Sequence, residues 1–191
     1  MAFGYSGTIL TSSDGTTWDN RTSGTSYVLP GGTYGNSIFV TVGDIGTILT
    51  SSDAITWTSR TSGTSNKLRG ITYGNSPFVA VSKSGTILTS SDATTWTSRE
   101  SGSVGLMAVN YANSTFVAVG AGKIRTSTDG ITWTDRTPGT TYTLNEVAYG
   151  NNTHVVVGGG KTLVYSTDGI SWTYKRISNG GDNLESIIYK E

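Results

Sequence analysis

Apolar residues in this chain come in short runs that are separated by Gly, Asn, Ser and Asp. The runs are rich in β-branched and aromatic residues, which favour strands, and the residues between them favour tight turns. Gly74 and Asn75, which separate two such runs, both tolerate positive φ and predict a hairpin. In this part of the chain the pattern predicts four strands: Leu68–Tyr73, Phe78–Val81, Thr86–Thr89 and Thr95–Arg99.

The same order of predicted strands recurs along the chain, and its clearest marker is the phrase Ser-Ser-Asp-Gly-Thr-Thr-Trp or a close variant. Successive tryptophans of the phrase are 39, 39, 37 and 39 residues apart. Four antiparallel strands at such a period are typical of one blade of a β-propeller. The five copies are Ser12–Trp18, Ser51–Trp57, Ser90–Trp96, Ser127–Trp133 and Ser166–Trp172.

The two ends of the chain indicate a closed ring. Met1–Gly4 aligns with Val40–Gly43 of a second strand, and the chain stops after a first strand, Leu184–Tyr189. We expect this last strand to join the N-terminal strands as the inner strand of their blade, which removes free sheet edges. An open solenoid would instead need atypical capping repeats, and the repeats show none. The expected fold is all-β: one domain over residues 1–191, a five-bladed β-propeller with four-stranded antiparallel blades.

The recurring phrase resembles the Asp-box, or BNR repeat, of sialidase-type propellers, Ser-x-Asp-x-Gly-x-Thr-Trp, with one residue fewer between Asp and Trp. The resemblance covers all five units and implies a structural turn that joins the third and fourth strands. The residues favour the same role, because a carboxylate in a tight turn accepts backbone N–H bonds and Trp can fill the gap between blades. The predicted structural residues are Asp14, Trp18, Asp53, Trp57, Asp92, Trp96, Asp129, Trp133, Asp168 and Trp172.

Composition excludes several classes of function. Charged residues make up only 14% of the chain, with 13 basic and 13 acidic residues and no run of either sign, which disfavours nucleic-acid binding. The chain has no cysteine, so disulfides and thiolate metal sites are excluded. No apolar run is long enough to insert into a membrane, and the first residues do not form a signal peptide. If the protein acts outside a cell, we expect it to leave the cell by lysis, by a dedicated route or as part of a larger particle.

No pattern of catalytic residues, metal ligands or cofactor-binding residues is found. His154 takes a position that is Phe in three other repeats, which predicts a core residue. Glu146 and Glu185 have no evident partner and are expected to be solvated or to line the channel, so sialidase chemistry does not carry over. One arginine per repeat is expected to pair with carboxylates or cover the blade edge, a ligand ring being the alternative: Arg21, Arg60, Arg99, Arg136 and Arg176.

Loop lengths locate a variable face. The spacings from first-strand Tyr to second-strand aromatic position and from Asp to Trp are constant, whereas the two remaining loop classes change length and must emerge on the same face. Repeat proteins usually place such variation on the binding face, although solvated loop tips are the alternative. The candidate ligand-binding residues are aromatic, amide and charged: Tyr5, Tyr27, Asp44, Asn66, Lys67, Lys83, Lys123, Tyr142, Lys161 and Asn183.

The leading functional expectation is a non-enzymatic recognition module that binds a glycan or a surface receptor. Its plan is similar to that of the five-bladed tachylectin-type lectins, and similar Asp-box arrays occur in phage tail and surface-adhesion proteins, which favours display on a virion or cell surface. The alternative is a structural or assembly protein that docks a protein partner. A sialidase-like glycoside hydrolase would need a close pair of carboxylates near the channel mouth.

Overall fold

The computed structural model describes residues 1–99, 103–177 and 183–190 and is almost entirely β. Its strands form five antiparallel sheets in chain order, which we number as blades 1 to 5. Blade 1 has three assigned strands and each of the others has four, with neighbours in the sequence also neighbours in the sheet. The described part of the chain contains no helix with the length and hydropathy of a membrane span.

The strands are short, as the spacing of turn residues predicts. Blade 1 contains β1 (Ala2–Phe3), β2 (Ile9–Thr11) and β3 (Asp19–Arg21), and blade 2 contains β4 (Gly31–Gly35), β5 (Ile38–Val42), β6 (Ile48–Ser51) and β7 (Thr58–Arg60). Blade 3 contains β8 (Leu68–Tyr73), β9 (Phe78–Ser82), β10 (Ile87–Ser90) and β11 (Thr97–Arg99). Blade 4 contains β12 (Leu106–Ala112), β13 (Thr115–Gly120), β14 (Lys123–Ser127) and β15 (Thr134–Arg136), and blade 5 contains β16 (Leu144–Gly150), β17 (Thr153–Gly158), β18 (Thr162–Ser166) and β19 (Thr173–Arg176).

The core lies between successive blades. Every residue of β9 is buried, because its alternating side chains pack against the blade before and the blade after. Between blades 2 and 3, Val40, Val42 and Ile48 pack against Leu68 and Phe78 in one apolar cluster. The inner strands follow one another in space, β4 beside β8, β8 beside β12 and β12 beside β16.

A tyrosine at the end of each inner strand helps to lock one blade to the next. The ring of Tyr73 covers Gly35 of the preceding blade, and the ring of Tyr111 covers Gly74 in the same way. A Cβ at either glycine would overlap the tyrosine ring, so a larger residue could not keep this approach. The tyrosines therefore have a packing role at the inner strands.

The C-terminal segment repeats this docking on blade 5. Leu184 N donates to Gly158 O at 3.1 Å, as Leu68 N does to Gly43 O at 3.0 Å between blades 2 and 3. Tyr189 covers Gly150 as Tyr73 covers Gly35. The segment thus takes the inner-strand position that follows blade 5, which in a five-bladed ring is that of blade 1. The predicted five-bladed propeller is confirmed, and the backbone bonds between this segment and β1 stay a prediction.

Candidate functional site

The two variable loop classes lie on one face of the molecule, which we call the variable-loop face. It is formed by the turns between second and third strands, such as Tyr5–Gly7 and Asp44–Gly46, and by the linkers between blades. In blades 1 and 2 the linker returns past the turn of its own blade. Gly7 N donates to Tyr27 O at 2.8 Å, and Gly46 N donates to Asn66 O at 3.0 Å. Linker residues 100–102 lie outside the described residues.

Blade 2 brings three of the predicted ligand residues together. Lys67 Nζ lies 2.6 Å from Asp44 Oδ1 and forms an ion pair. Asn66 Nδ2 donates to Thr86 Oγ1 of blade 3 at 2.8 Å, so this amide joins two blades. The side chains of these three residues therefore already have partners within the protein.

Three large side chains on the blade 1 turn, its linker and the blade 2 turn are exposed. Tyr5 is 79%, Tyr27 46% and Ile45 58% accessible. Asp44 N donates to Val28 O at 3.1 Å, which places the Ile45 turn against the linker that carries Tyr27. We call Tyr5, Tyr27 and Ile45 the Tyr-Ile patch.

Ile45 was not among the residues predicted to bind a ligand. Its φ is +54°, in the left-handed region that β-branched residues rarely adopt. The equivalent positions of blades 1 and 5 hold Ser6 with φ +53° and Gly160 with φ +61°. The alignment of the three turns already shows an isoleucine where small residues stand, but the backbone strain becomes visible only in the structure.

A second group of predicted residues meets at blade 5. Gly160 N donates to Asn183 Oδ1 at 3.3 Å, and the ring of Tyr142 lies against Gly160. Lys161 ends the same turn. Lys83 joins the first group only through its backbone, since its N–H donates to Lys67 O at 3.2 Å, and its side chain is exposed on the blade 3 turn. Lys123 begins β14. The predicted set is therefore distributed over the face and does not form one cavity.

The opposite face carries the five turns of the recurring phrase, which we call Asp turns. In each of them the carboxylate Oδ1 accepts two consecutive backbone N–H bonds, both at 2.8 Å. The bonds from the N–H groups of Thr95 and Thr94 lower the pKa of Asp92 to about 2. Backbone bonds, first among them that of Ile170, lower the pKa of Asp168 to about 2 as well. These carboxylates are thus held ionised by their own turns.

The tryptophans are less buried than the sequence suggests. The indole Nε1 of Trp133 donates to Gly130 O at 3.0 Å, and Trp18, Trp96 and Trp172 make the equivalent bond. Because residues such as Thr95 and Trp96 belong to the turn, the fourth strand of blade 3 begins only at Thr97. The rings pack on the edges of the apolar clusters, and that of Trp18 is largely exposed.

The outer-strand arginines do not follow the expectation of carboxylate pairing. In blades 1 to 4 the arginine Nε donates to a buried threonine hydroxyl at 2.8 Å, as Arg99 does to Thr89. Only Arg21 of this set also has a carboxylate partner among the described residues, Asp19 at 2.7 Å. In blade 5 the threonine position is taken by Tyr165 and Arg176 is exposed. The threonine hydroxyl accepts the hydrogen bond of the arginine Nε–H and adds no charge, so this bond needs no carboxylate.

The titratable residues singled out in the sequence each make local contacts. His154 is buried, with its ring centroid 4.6 Å from that of Tyr149, and burial lowers its pKa. Burial raises the pKa of Glu146, which accepts the N–H of Val147. Glu185 accepts Asn145 Nδ2 at 3.3 Å. Among the described residues, no three His, Asp or Glu side chains are grouped to hold a metal.

Comparison with known proteins shows the fold. No protein-family model matches the chain, and no curated protein matches it. Among solved structures it is similar to YCF48 bound to D1 peptide, with TM-score 0.68 and 19% identity over 90% of this chain and 61% of that one. It is also similar to YCF48 from Cyanidioschyzon merolae, with TM-score 0.68 and 21% identity over 98% of this chain and 70% of that one. The WD40 β-propeller domain of Doa1 has TM-score 0.65 and 11% identity over 97% of this chain and 62% of that one. The chain is thus a β-propeller that spans about three fifths of the YCF48 chain in the peptide complex.

Proposed function

We propose that this protein is a non-enzymatic docking module whose variable-loop face binds a protein partner. The observation that carries the proposal is Ile45, an exposed β-branched residue in a left-handed backbone conformation. Such a conformation costs about 1–3 kcal/mol, and strained residues cluster at functional sites. An isoleucine there gains nothing from burial in the free protein, whereas a partner that covers it would supply that burial.

The composition of the Tyr-Ile patch supports a protein partner. Tyrosines are enriched among the residues that dominate binding energy at protein interfaces, and an apolar centre with a polar rim is the usual anatomy. In this proposal the exposed Tyr5, Tyr27 and Ile45 supply the apolar centre, and the Asp44–Lys67 ion pair supplies part of the polar rim. The fold is compatible with this role, because the similar YCF48 structure is described with a bound peptide.

The test uses a displayed library of random peptides to select binders, followed by titration of one synthetic binder. Ile45→Gly should weaken that peptide about tenfold or more, because it removes the apolar anchor. The same change should raise the free energy of unfolding by about 1 kcal/mol, since glycine adopts positive φ without strain. Loss of binding in a more stable protein cannot be attributed to unfolding.

Ser6→Gly is the matched control. Ser6 has the same backbone conformation at the equivalent position of blade 1 and offers no apolar side chain. It should keep the affinity of the wild-type protein. A library without binders, or a selected peptide that binds Ile45→Gly as tightly as the wild type, would contradict the proposal.

Glycan recognition is the second candidate, and Tyr142 favours it. This exposed ring lies beside Asn183 and Lys161, so an aromatic face, an amide and an ammonium group are available at one place. The resemblance to Asp-box arrays in phage tail and surface-adhesion proteins supports display on a virion or cell surface for either ligand. A glycan array tests it: a hit whose binding is lost in Tyr142→Ala would favour a lectin, and a blank array would exclude this candidate.

A further inference from the structure

Four equivalent grooves run along the outer rim of the propeller, on the side of the Asp turns. Each groove lies between the two outer strands of one blade and the Asp turn of the next, and we name it by its two blades. Groove 3/4, for example, is lined by Thr97 and Arg99 of blade 3 and by Asp129 and Ile131 of blade 4. Groove 4/5 repeats this arrangement with Thr134, Arg136, Asp168 and Ile170.

The arginine in each groove is held in place by its own blade. Arg99 Nε donates to Thr89 Oγ1 and Arg136 Nε to Thr126 Oγ1, both at 2.8 Å, and both threonines are buried. A planar guanidinium fixed through Nε keeps its two Nη groups as a pair of donors, the geometry that a carboxylate accepts with both oxygens. The bound conformation is therefore largely formed before any ligand arrives.

The residue two positions before the arginine determines whether the guanidinium already has an ion-pair partner. In groove 1/2 the outer strand carries Asp19, whose carboxylate pairs with Arg21 at 2.7 Å. The position two residues before the arginine is Thr97 in blade 3 and Thr134 in blade 4. Arg99 and Arg136 have no carboxylate within ion-pair distance among the described residues. Within the described ranges, groove 1/2 thus contains an internal acid that pairs with its arginine, and we call the grooves that show no such pair, 3/4 and 4/5 among them, open.

The opposite wall of grooves 3/4 and 4/5 combines an exposed isoleucine with a carboxylate whose charge is already balanced within its own turn. Ile131 is 46% and Ile170 59% accessible at the tips of their Asp turns. The carboxylates of Asp129 and Asp168 accept hydrogen bonds from their own turns, which compensate their charge locally. Groove 2/3 has Thr94 in place of the isoleucine, so it combines an arginine with a polar tip.

We propose that grooves 3/4 and 4/5 bind an acidic segment of a protein chain. A side-chain carboxylate of the segment accepts hydrogen bonds from the Nη atoms of Arg99 or Arg136, and a neighbouring apolar side chain packs on Ile131 or Ile170. An isoleucine wall fits an apolar amino-acid side chain, whereas an acidic saccharide would be expected to find an aromatic ring to stack on. Two equivalent grooves on adjacent blades let one segment bind both and gain affinity from their linkage.

This site is separate from the Tyr-Ile patch, although it shares with the proposed function the premise of a protein partner. The two lie on different parts of the molecule, the patch on the variable-loop face and the grooves beside the Asp turns. They can therefore be tested one at a time.

The experiment is a titration of the full chain with a fluorescent peptide of alternating Glu and Leu, with a Gln-Leu peptide as the uncharged control. The decisive variant carries Thr97→Asp and Thr134→Asp, which install in the open grooves the internal acid that Asp19 supplies in groove 1/2. It keeps both arginines and both isoleucines and should lower affinity for the acidic peptide about tenfold. Asp19→Thr opens groove 1/2, where Ile55 stands at the tip, and should add binding.

Each outcome decides the inference. Equal affinity of the wild type and the double variant, or equal binding of the Glu-Leu and Gln-Leu peptides, would overturn it. Binding of the acidic polysaccharide alginate without binding of the peptide would assign the grooves to saccharides and also overturn it. Ile45→Gly should bind the acidic peptide as the wild type does, so failure of the patch proposal leaves this result unchanged. Loss of acidic-peptide binding in Ile45→Gly would place the site on the other face and contradict the inference.

Discussion

The Asp-turn face and the variable-loop face are built on the same five blades but differ in what repeats. On the Asp-turn face the hydrogen bonds, the arginine–threonine pairs and the grooves recur from blade to blade. On the variable-loop face the backbone contacts between turn and linker recur, but the side chains do not. The same left-handed position holds Ser6, Ile45 or Gly160.

The two faces show how one repeat can keep a turn constant on one side and vary its side chains on the other. A turn that is closed by its own carboxylate keeps its serine, aspartate and tryptophan positions nearly constant, because their side chains make the bonds of the turn. A turn closed by backbone contacts with the following linker leaves its side chains free to vary. Repeated geometry thus offers several equal weak sites, and the variable face offers single sites.

The largest expected effect comes from replacing a glycine of positive φ by alanine, first on the variable-loop face and then on the Asp-turn face. Gly46 has φ +66°, and a Cβ there would overlap the carbonyl oxygen of Thr64, so Gly46→Ala must displace the backbone of the linker. We expect it to lower the free energy of unfolding by about 3 kcal/mol. Chemical denaturation measures the loss.

Gly15→Ala on the Asp-turn face is the matched control. Gly15 has φ +75°, but a Cβ there would have no other atom within 4 Å, so only the backbone strain remains. Its cost should be about 1 kcal/mol. Equal losses for the two variants would show that the packing of the linker against the turn contributes nothing to stability.

Acid should destabilise the Asp-turn face. The pKa of Asp92 and Asp168 is lowered to about 2 in the folded protein, while an unfolded Asp titrates near 4. The stability that these carboxylates supply is therefore fully present above about pH 4 and lost as the pH falls towards 2. Thermal melts from pH 8 to 2 should show the fall, and Asp92→Asn should reduce it.

His154 should cause a separate loss of stability on acidification, at a higher pH than the aspartates, because burial lowers its pKa in the folded state. Its contribution is fully present above about pH 6.5, the ordinary histidine value, and decreases as the pH falls below it. His154→Phe restores the residue found at this position in three other repeats. It should raise the melting temperature most at low pH and leave the fall between pH 4 and 2 in place. A variant with the same pH profile as the wild type would show that His154 is not the cause.

The smallest expected effect concerns the two Asp turns that lack glycine. Ala54 and Ala93 have φ +62° and +59°, so each is strained. Ala54→Gly should stabilise the protein by about 0.5–1 kcal/mol. Ala93 is buried in the cluster between blades 2 and 3, and the loss of its methyl group costs about 0.8 kcal/mol, so Ala93→Gly should change little. Equal gains in the free energy of unfolding for the two variants would show that burial of the Ala93 methyl group does not stabilise the protein.

Much of the fold could be predicted from the sequence because local signals repeat five times. Alternation of apolar runs with turn residues located the strands, and the order of strands at the chain ends predicted the docking of Leu184 next to blade 5. The fourth strands were predicted too long, because Thr95 and Trp96 bond within their turn. Strand propensity alone cannot detect this competition between turn and ladder.

The candidate sites were less predictable. Loop lengths indicated the variable face, yet Ile45 was missed because its exposure and its positive φ are properties of the folded turn, which residue spacing does not specify. The arginines of the rim were expected to pair with carboxylates or to cover the blade edge; Arg21 does pair with Asp19, but the sequence could not show that threonine hydroxyls hold four of them. Side-chain partners across strands depend on register and direction, which residue spacing does not specify.

The sequence by itself determined the number of blades, the strands of each blade and the residues of the Asp turns, because these depend on interactions within about ten residues. The tertiary structure decided which segments lie together: the Ile45 turn with the linker that carries Tyr27, and Arg99 with the Asp turn that carries Ile131. These pairs come from different blades or loops, and only the packing of one blade on the next brings them within reach. For this reason the repeat predicts the scaffold, and the surfaces proposed to bind a partner emerge from the junctions between its units.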